Sequence, residues 1–167
     1  MSIHDHIKTL CKEPRYELGR ATQAIGVIGL SARLYVRMPP RTGKTTLAKA
    51  LMLQALDYGK SVVYVGANAE LASDARRDLP ASDAFTFIEV GAALTGRGFD
   101  LAIMDPQWCR QAPADVLRWY SATLCSRLTT CGGVVYIEPT GQPSDYNSVP
   151  LESFRRYEPR WQLIDLT

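Results

Sequence analysis

The stretch MPPRTGKTT, Met38 to Thr46, decides how this chain is read. Gly43, Lys44 and Thr45 satisfy the end of the phosphate-loop pattern G-x-x-x-x-G-K-[ST], but Met38 stands where its first glycine belongs, and Pro39 and Pro40 follow. The flanks are those the motif requires: an apolar run, RLYVRM (33–38), comes before it, and GKTTLAKALMLQALDYG (43–59), patterned as a helix and closing at Gly59, comes after. Gly43 permits close backbone approach, and the amides of Thr42 through Thr46 are expected to converge on a phosphate at the helix N-terminus. Lys44 supplies charge to the β- and γ-phosphates, and Thr45 a hydroxyl to Mg²⁺. The prolines remove donors only on the entry side, where they stiffen the turn.

Working outward, short β-branched or aromatic runs recur at 61–66 (SVVYVG), 84–90 (AFTFIEV), 100–105 (DLAIMD), 133–139 (GVVYIEP) and 161–166 (WQLIDL). They are continuous rather than alternating, as strands covered on both faces are. Helical patterns lie between them at 68–80, capped by Asn68, and at 112–128, and another, YELGRATQAIGVIGLSA (16–32), precedes the first run. Strand and helix in alternation predict an α/β protein with a parallel sheet.

DLAIMD ends in Asp105, a carboxylate after an apolar strand, which fits the Walker B role of holding Mg²⁺. Thr45 and Asp105 are therefore the expected metal-site residues. His4 and His6 would point the same way in an extended segment, but no third ligand accompanies them and a metal there is not expected.

A chain of 167 residues with 46% hydrophobic and 22% charged residues is sized and composed for one globular domain. A net charge of +2 does not mark a nucleic-acid binder. The four cysteines form no C-x-x-C pair, and neither a membrane span nor a secretory signal is legible, so a cytoplasmic protein with reduced thiols is expected. Trp108, Trp119 and Trp161 sit on different elements and are expected to pack rather than to stack bases.

Taken in order, these pieces resemble the ATPase domain of the tailed-phage terminase large subunit, the DNA-packaging motor. PPRTGKT is similar to that family's phosphate loop, P-P-R-x-G-K-[ST]. ANAELASDARRDL resembles its L-A-x-x-x-x-R helix, VGAALTGRGFDLAIMDPQ its glycine-rich approach to Walker B, LRWYSATLCSRL the helix that follows, and GGVVYIEPTGQPSD its fifth strand and coupling motif. The resemblance covers about residues 34–167 and implies a three-layer P-loop NTPase with a mainly parallel, RecA-like sheet carrying the additional strand. It implies ATP and Mg²⁺ as ligands, ATP hydrolysis coupled to movement of double-stranded DNA, portal or other packaging proteins as partners, and a homo-oligomeric ring, in the host cytoplasm if the protein is phage-encoded. The corresponding division is a helical segment over 1–32 and a single ATPase domain over 33–167, without a nuclease domain.

On this reading Lys44, Arg41 and Asp105 are catalytic, Arg41 reaching the γ-phosphate. Pro40, Arg41, Thr42, Gly43, Lys44, Thr45 and Thr46 bind nucleotide, Gln23 is a candidate reader of adenine, and Thr140 and Gln142 fall in the coupling motif. The family has two acids before the proline, whereas Met104-Asp105-Pro106 has one. Slow hydrolysis is one consequence, and service by another group such as Glu138 is the other. The alternative function is a catalytically weak or inactive interaction protein built on the same scaffold. A helicase fragment is disfavoured for want of a second recombinase-like domain.

Overall fold

The apolar runs become strands because both of their faces are covered. The computed structural model describes residues 2–96, 98–139 and 148–167. Among them, six strands form one sheet: β1 (Arg33–Arg37), β2 (Val62–Gly66), β3 (Phe85–Glu89), β4 (Phe99–Asp105), β5 (Leu128–Ile137) and β6 (Gln162–Asp165). Their order is β3-β2-β4-β5-β1-β6 and every pairing is parallel. β5 thus separates β1, which leads into the glycine-lysine turn, from β4, which ends at Asp105.

Alternate residues of each strand feed two cores. Leu34, Val36, Leu101, Ile103, Val135 and Ile137 face α1 (Ile3–Leu10), α2 (Tyr16–Ile28) and α3 (Lys44–Asp57), meeting Ile7, Leu18, Ile25, Leu47 and Leu51. On the other face Tyr35, Ala102, Met104, Val134 and Tyr136 meet α5 (Pro113–Trp119) and α6 (Leu151–Tyr157) through Val116, Leu151 and Phe154. Each fully buried aliphatic or aromatic side chain contributes roughly 1.5–3 kcal/mol relative to exposure. The expected parallel α/β sheet with both faces covered is present.

The helix expected over 68–80 is α4 (Ala69–Asp74) only, beginning at the Asn68 cap. Beyond Ala75 the bonds tighten to Arg76 N→Ser73 O, Arg77 N→Asp74 O and Leu79 N→Arg76 O, turns that let the chain drop to β3. After α5 the helix expected to 128 widens into a π turn over Tyr120–Leu124 and narrows into a 3₁₀ turn over Cys125–Arg127. It enters β5 with no loop, so β5 starts five residues before the apolar run that predicted it. Farther along β5, Gly133 lies against the segment that follows α2, and a Cβ there would collide with the Leu30 carbonyl.

Residues 3–10 are helical rather than extended, with Ser2 and Asp5 exchanging capping bonds: Ser2 Oγ accepts from Asp5 N at 3.2 Å and Asp5 Oδ2 from Ser2 N at 3.0 Å. His6 is buried, with Nε2 2.6 Å from Asp57 Oδ2 at the end of α3, and serves packing. The first 32 residues do not stand apart, because Ile3, Ile7, Leu18 and Ile25 belong to the same core as Leu47 and Leu51. No described helix is long and apolar enough to cross a membrane, and Cys11, Cys109, Cys125 and Cys131 are all free thiols.

Candidate functional site

At the carboxyl ends of β1 and β4 lies a cavity of about 490 Å³ lined by Pro40, Arg41, Gly43, Lys44, Thr45, Thr46, Asp105, Gln107 and Trp108. Its floor is the turn between β1 and α3. Thr42 is buried and does not line the cavity; its hydroxyl donates to the Pro39 carbonyl at 2.7 Å and closes the turn. Gly43 adopts the left-handed conformation at φ 97°, and a Cβ there would come within 3.1 Å of the Leu18 side chain of α2. The backbone angle is what favours glycine there, and the Leu18 methyl would have to give by a few tenths of an ångström to admit a Cβ. As the N-cap of α3 it offers no side-chain cap, so the first-turn amides keep their anion-binding capacity.

Lys44 donates from Nζ to the Glu138 carbonyl at 3.0 Å. Burial pushes its pKa down to about 8, against the pull of Asp105 and Glu138. The ammonium is half-desolvated, a state that an incoming phosphate relieves. Thr45 donates from Oγ1 to Asp105 Oδ2 at 3.2 Å, bringing the two expected metal-site residues together. No group of three or more His, Cys, Asp or Glu gathers among the described residues. Two hard oxygens suit a cation that keeps waters and takes its remaining ligands from phosphate, as Mg²⁺ does.

The sequence does not disclose the second donor to Asp105, which is the Tyr64 hydroxyl at 2.7 Å. In the β2–β4 register Tyr64 opposes Ile103, so Asp105, two residues on, leaves the sheet on the same face and within diagonal reach. A tyrosine two residues before the end of the neighbouring strand was the available signal. Burial pushes the Asp105 carboxyl up, while the hydroxyls of Tyr64 and Thr45 and the Lys44 ammonium act against it.

No protein-family model and no curated protein matches the chain.

Arg41 and Pro40 line the cavity, Arg41 exposed and in a left-handed conformation at φ 60°. Glu138 is placed elsewhere. The parity of β5 turns its side chain to the α5–α6 face, opposite Asp105, and both of its carboxylate oxygens accept from Arg37 Nε at 3.2 Å. Gln23 lies on the exposed side of α2 beside a separate cavity with Ser2, His4 and Thr22. Thr140 and Gln142 fall outside the described residues, as does Arg97. Of the tryptophans, Trp161 is buried against Phe154, and Trp119 donates from Nε1 to the Ala92 carbonyl at 2.8 Å. Trp108 is 55% exposed and forms one wall of the cavity.

Proposed function

We propose that this protein binds MgATP at the β1–α3 turn and hydrolyses it, as a P-loop ATPase of the terminase type. The observation that carries the reading is the 3.2 Å contact between Thr45 and Asp105, beside a partly desolvated Lys44, all three lining one cavity. It joins the turn after one strand to the acid at the end of another, 60 residues apart. The position of β5 between β1 and β4 supports the RecA-like, additional-strand form of the fold.

Each residue has a definite task under this reading. The α3 amides and Lys44 hold the β- and γ-phosphates, Thr45 and Asp105 hold Mg²⁺, and Arg41 reaches the outer phosphate oxygens from the rim. Magnesium, when bound, neutralises charge developing on those oxygens. Double-stranded DNA and packaging proteins as partners, and a ring of subunits, belong to the proposal through the sequence resemblance.

The second reading, a weak or inactive nucleotide-binding partner, is favoured by one observation: among the described residues, Asp105 is the only carboxylate lining the cavity, since that of Glu138 is held by Arg37 on the other face. Calorimetry with MgATP, alongside phosphate release with and without DNA, separates the two. Binding lost in Lys44→Ala together with turnover supports the motor; binding without turnover supports the partner. No heat with ATP and Mg²⁺ in folded protein refutes both.

A further inference from the structure

α3 begins at the phosphate turn, and its far end meets a second cavity. Gln54, about 15 Å along the helix axis from Lys44, lines this cavity of about 620 Å³, which is bounded by α1, the end of α2 and the segment leading to β1. Small-molecule sites occupy roughly 300–1,000 Å³. Ile3, Ile25 and Leu30 supply apolar walls, and the Tyr58 ring, 68% exposed, stands at the rim.

Two features mark it as a ligand site. Gln54 is only 6% exposed, and its Oε1 is sealed from solvent yet finds no hydrogen-bond donor among the described residues. An acceptor buried without a partner is a cost that leucine or methionine would not carry at this position, whose neighbours on α3, Leu51 and Ala55, are fully buried. Independently, Gly26 lies inside α2, where glycine is a poor helix former, and no packing demands it: a Cβ there would meet no atom of the described residues within 4 Å. Gly26 also lines the cavity, so its missing side chain leaves that space open.

We propose that this cavity binds a small uncharged molecule with a flat apolar body and an N–H or O–H donor at its edge, the donor going to Gln54 Oε1. The torsion that ends a glutamine side chain is soft, so the carboxamide turns its oxygen toward the cavity that the same side chain lines. The apolar body packs on Ile25 and Leu30 and against the face of Tyr58. Neither sign of charge dominates the rim. α2 and α3 both end there, at Gly29 and Tyr58, and direct the partial negative charge of their C-termini at it, while Lys60 adds a positive charge that also acts on Asp100. An uncharged ligand suits that balance.

The probes are indole, which carries one N–H donor, and N-methylindole, the same body without it. Each is titrated into isotopically labelled protein without nucleotide, following by NMR the backbone amides of Gly26 and Gly29 and the side-chain amide of Gln54. Indole should saturate these shifts with a Kd at or below about 1 mM, and N-methylindole should bind at least about tenfold more weakly, because it leaves the acceptor unpaired. Gln54→Met keeps the length and the apolar stem and should bring the two probes within about twofold of each other. Gly26→Leu places a good helix former in open space and should weaken indole at least about tenfold with the helical circular dichroism retained. Shifts that fail to saturate in the millimolar range, equal affinity of the wild type for both probes, a preference that survives Gln54→Met, or unchanged indole affinity in Gly26→Leu each overturns the proposal. None of these results touches the nucleotide reading, which stands or falls on ATP binding at the other end of α3.

Discussion

Removing the hydroxyl of Tyr64 tests the internal logic of the site without any ligand. Tyr64→Phe leaves the ring where it is, packed against Phe87 with centroids 6.0 Å apart, so no cavity opens. What disappears is the 2.7 Å bond to Asp105 Oδ2. Both partners are shielded, Tyr64 at 3% and Asp105 at 6% exposure, so solvent screening gives little discount. Burial raises the Asp105 carboxyl, so the measurement is made at a pH high enough to ionise it; a hydrogen bond to a charged acceptor then contributes about 1.5–3 kcal/mol, against about 0.5–1.5 kcal/mol for a neutral one. Urea unfolding should therefore show a loss of about 2 kcal/mol, equivalent to a fall of roughly 4–8 °C in Tm for a domain of this size. In an Asp105→Asn background the acceptor is uncharged, and the same change should cost about 1 kcal/mol less. A coupling below about 0.5 kcal/mol in this double-mutant cycle would refute the reasoning, because the phenol would then be no support to a charged carboxylate.

Other outcomes follow from single contacts. ATP affinity measured by titration across pH should be flat below the Lys44 pKa of about 8 and weaken above it, because the ammonium that meets the phosphates is lost there; an affinity unchanged to about pH 10 would exclude Lys44 as the phosphate ligand. The Asp100 carboxyl is held below its ordinary value first by the Ser61 amide, with Thr129 and Ser61 hydroxyls assisting. Its contribution is present above the unfolded value of 3.8 and lost as pH falls through the lower folded value, so Asp100→Asn should flatten the acid limb of a urea midpoint-versus-pH curve. Gly133→Ala drives a methyl into the Leu30 carbonyl and should cost at least about 2–3 kcal/mol or prevent folding, read by circular dichroism and thermal melting; native stability would disprove the close packing of β5 on the end of α2.

The sheet was legible because its strands are buried on both faces, which leaves continuous apolar runs such as VVYV and LAIM. What was illegible lacks that signature. Near the start of β5, Thr129 to Cys131 are exposed and polar or small, and they lie in an irregularity of the β4–β5 ladder between the Phe99–Leu128 and Leu101–Gly133 pairs. α1 is eight residues long and owes its stability to Ile3 and Ile7 reaching the core, a tertiary cause that local pattern carries weakly. At the site, Lys44 and Thr45 were readable because their chemistry is contiguous, and Asp105 because it ends a strand. Tyr64 was not, since its partner lies across a register no single segment encodes. Glu138 shows the converse: its position at a strand end was visible, but the face it takes was not.

The strand order carries a consequence for how the protein is made. β1 pairs with β5 and β6, Leu34 meeting Val135 on one side and Gln162 on the other. On a ribosome, β2, β3 and β4 can zip together while the segment that ends at Met38 still lacks both neighbours. That strand must wait some hundred residues of synthesis before either edge is satisfied, and long-range closure of this kind is slow. Nascent chains halted before β5 should therefore hold a partial sheet with its oldest strand exposed, a natural client for a chaperone.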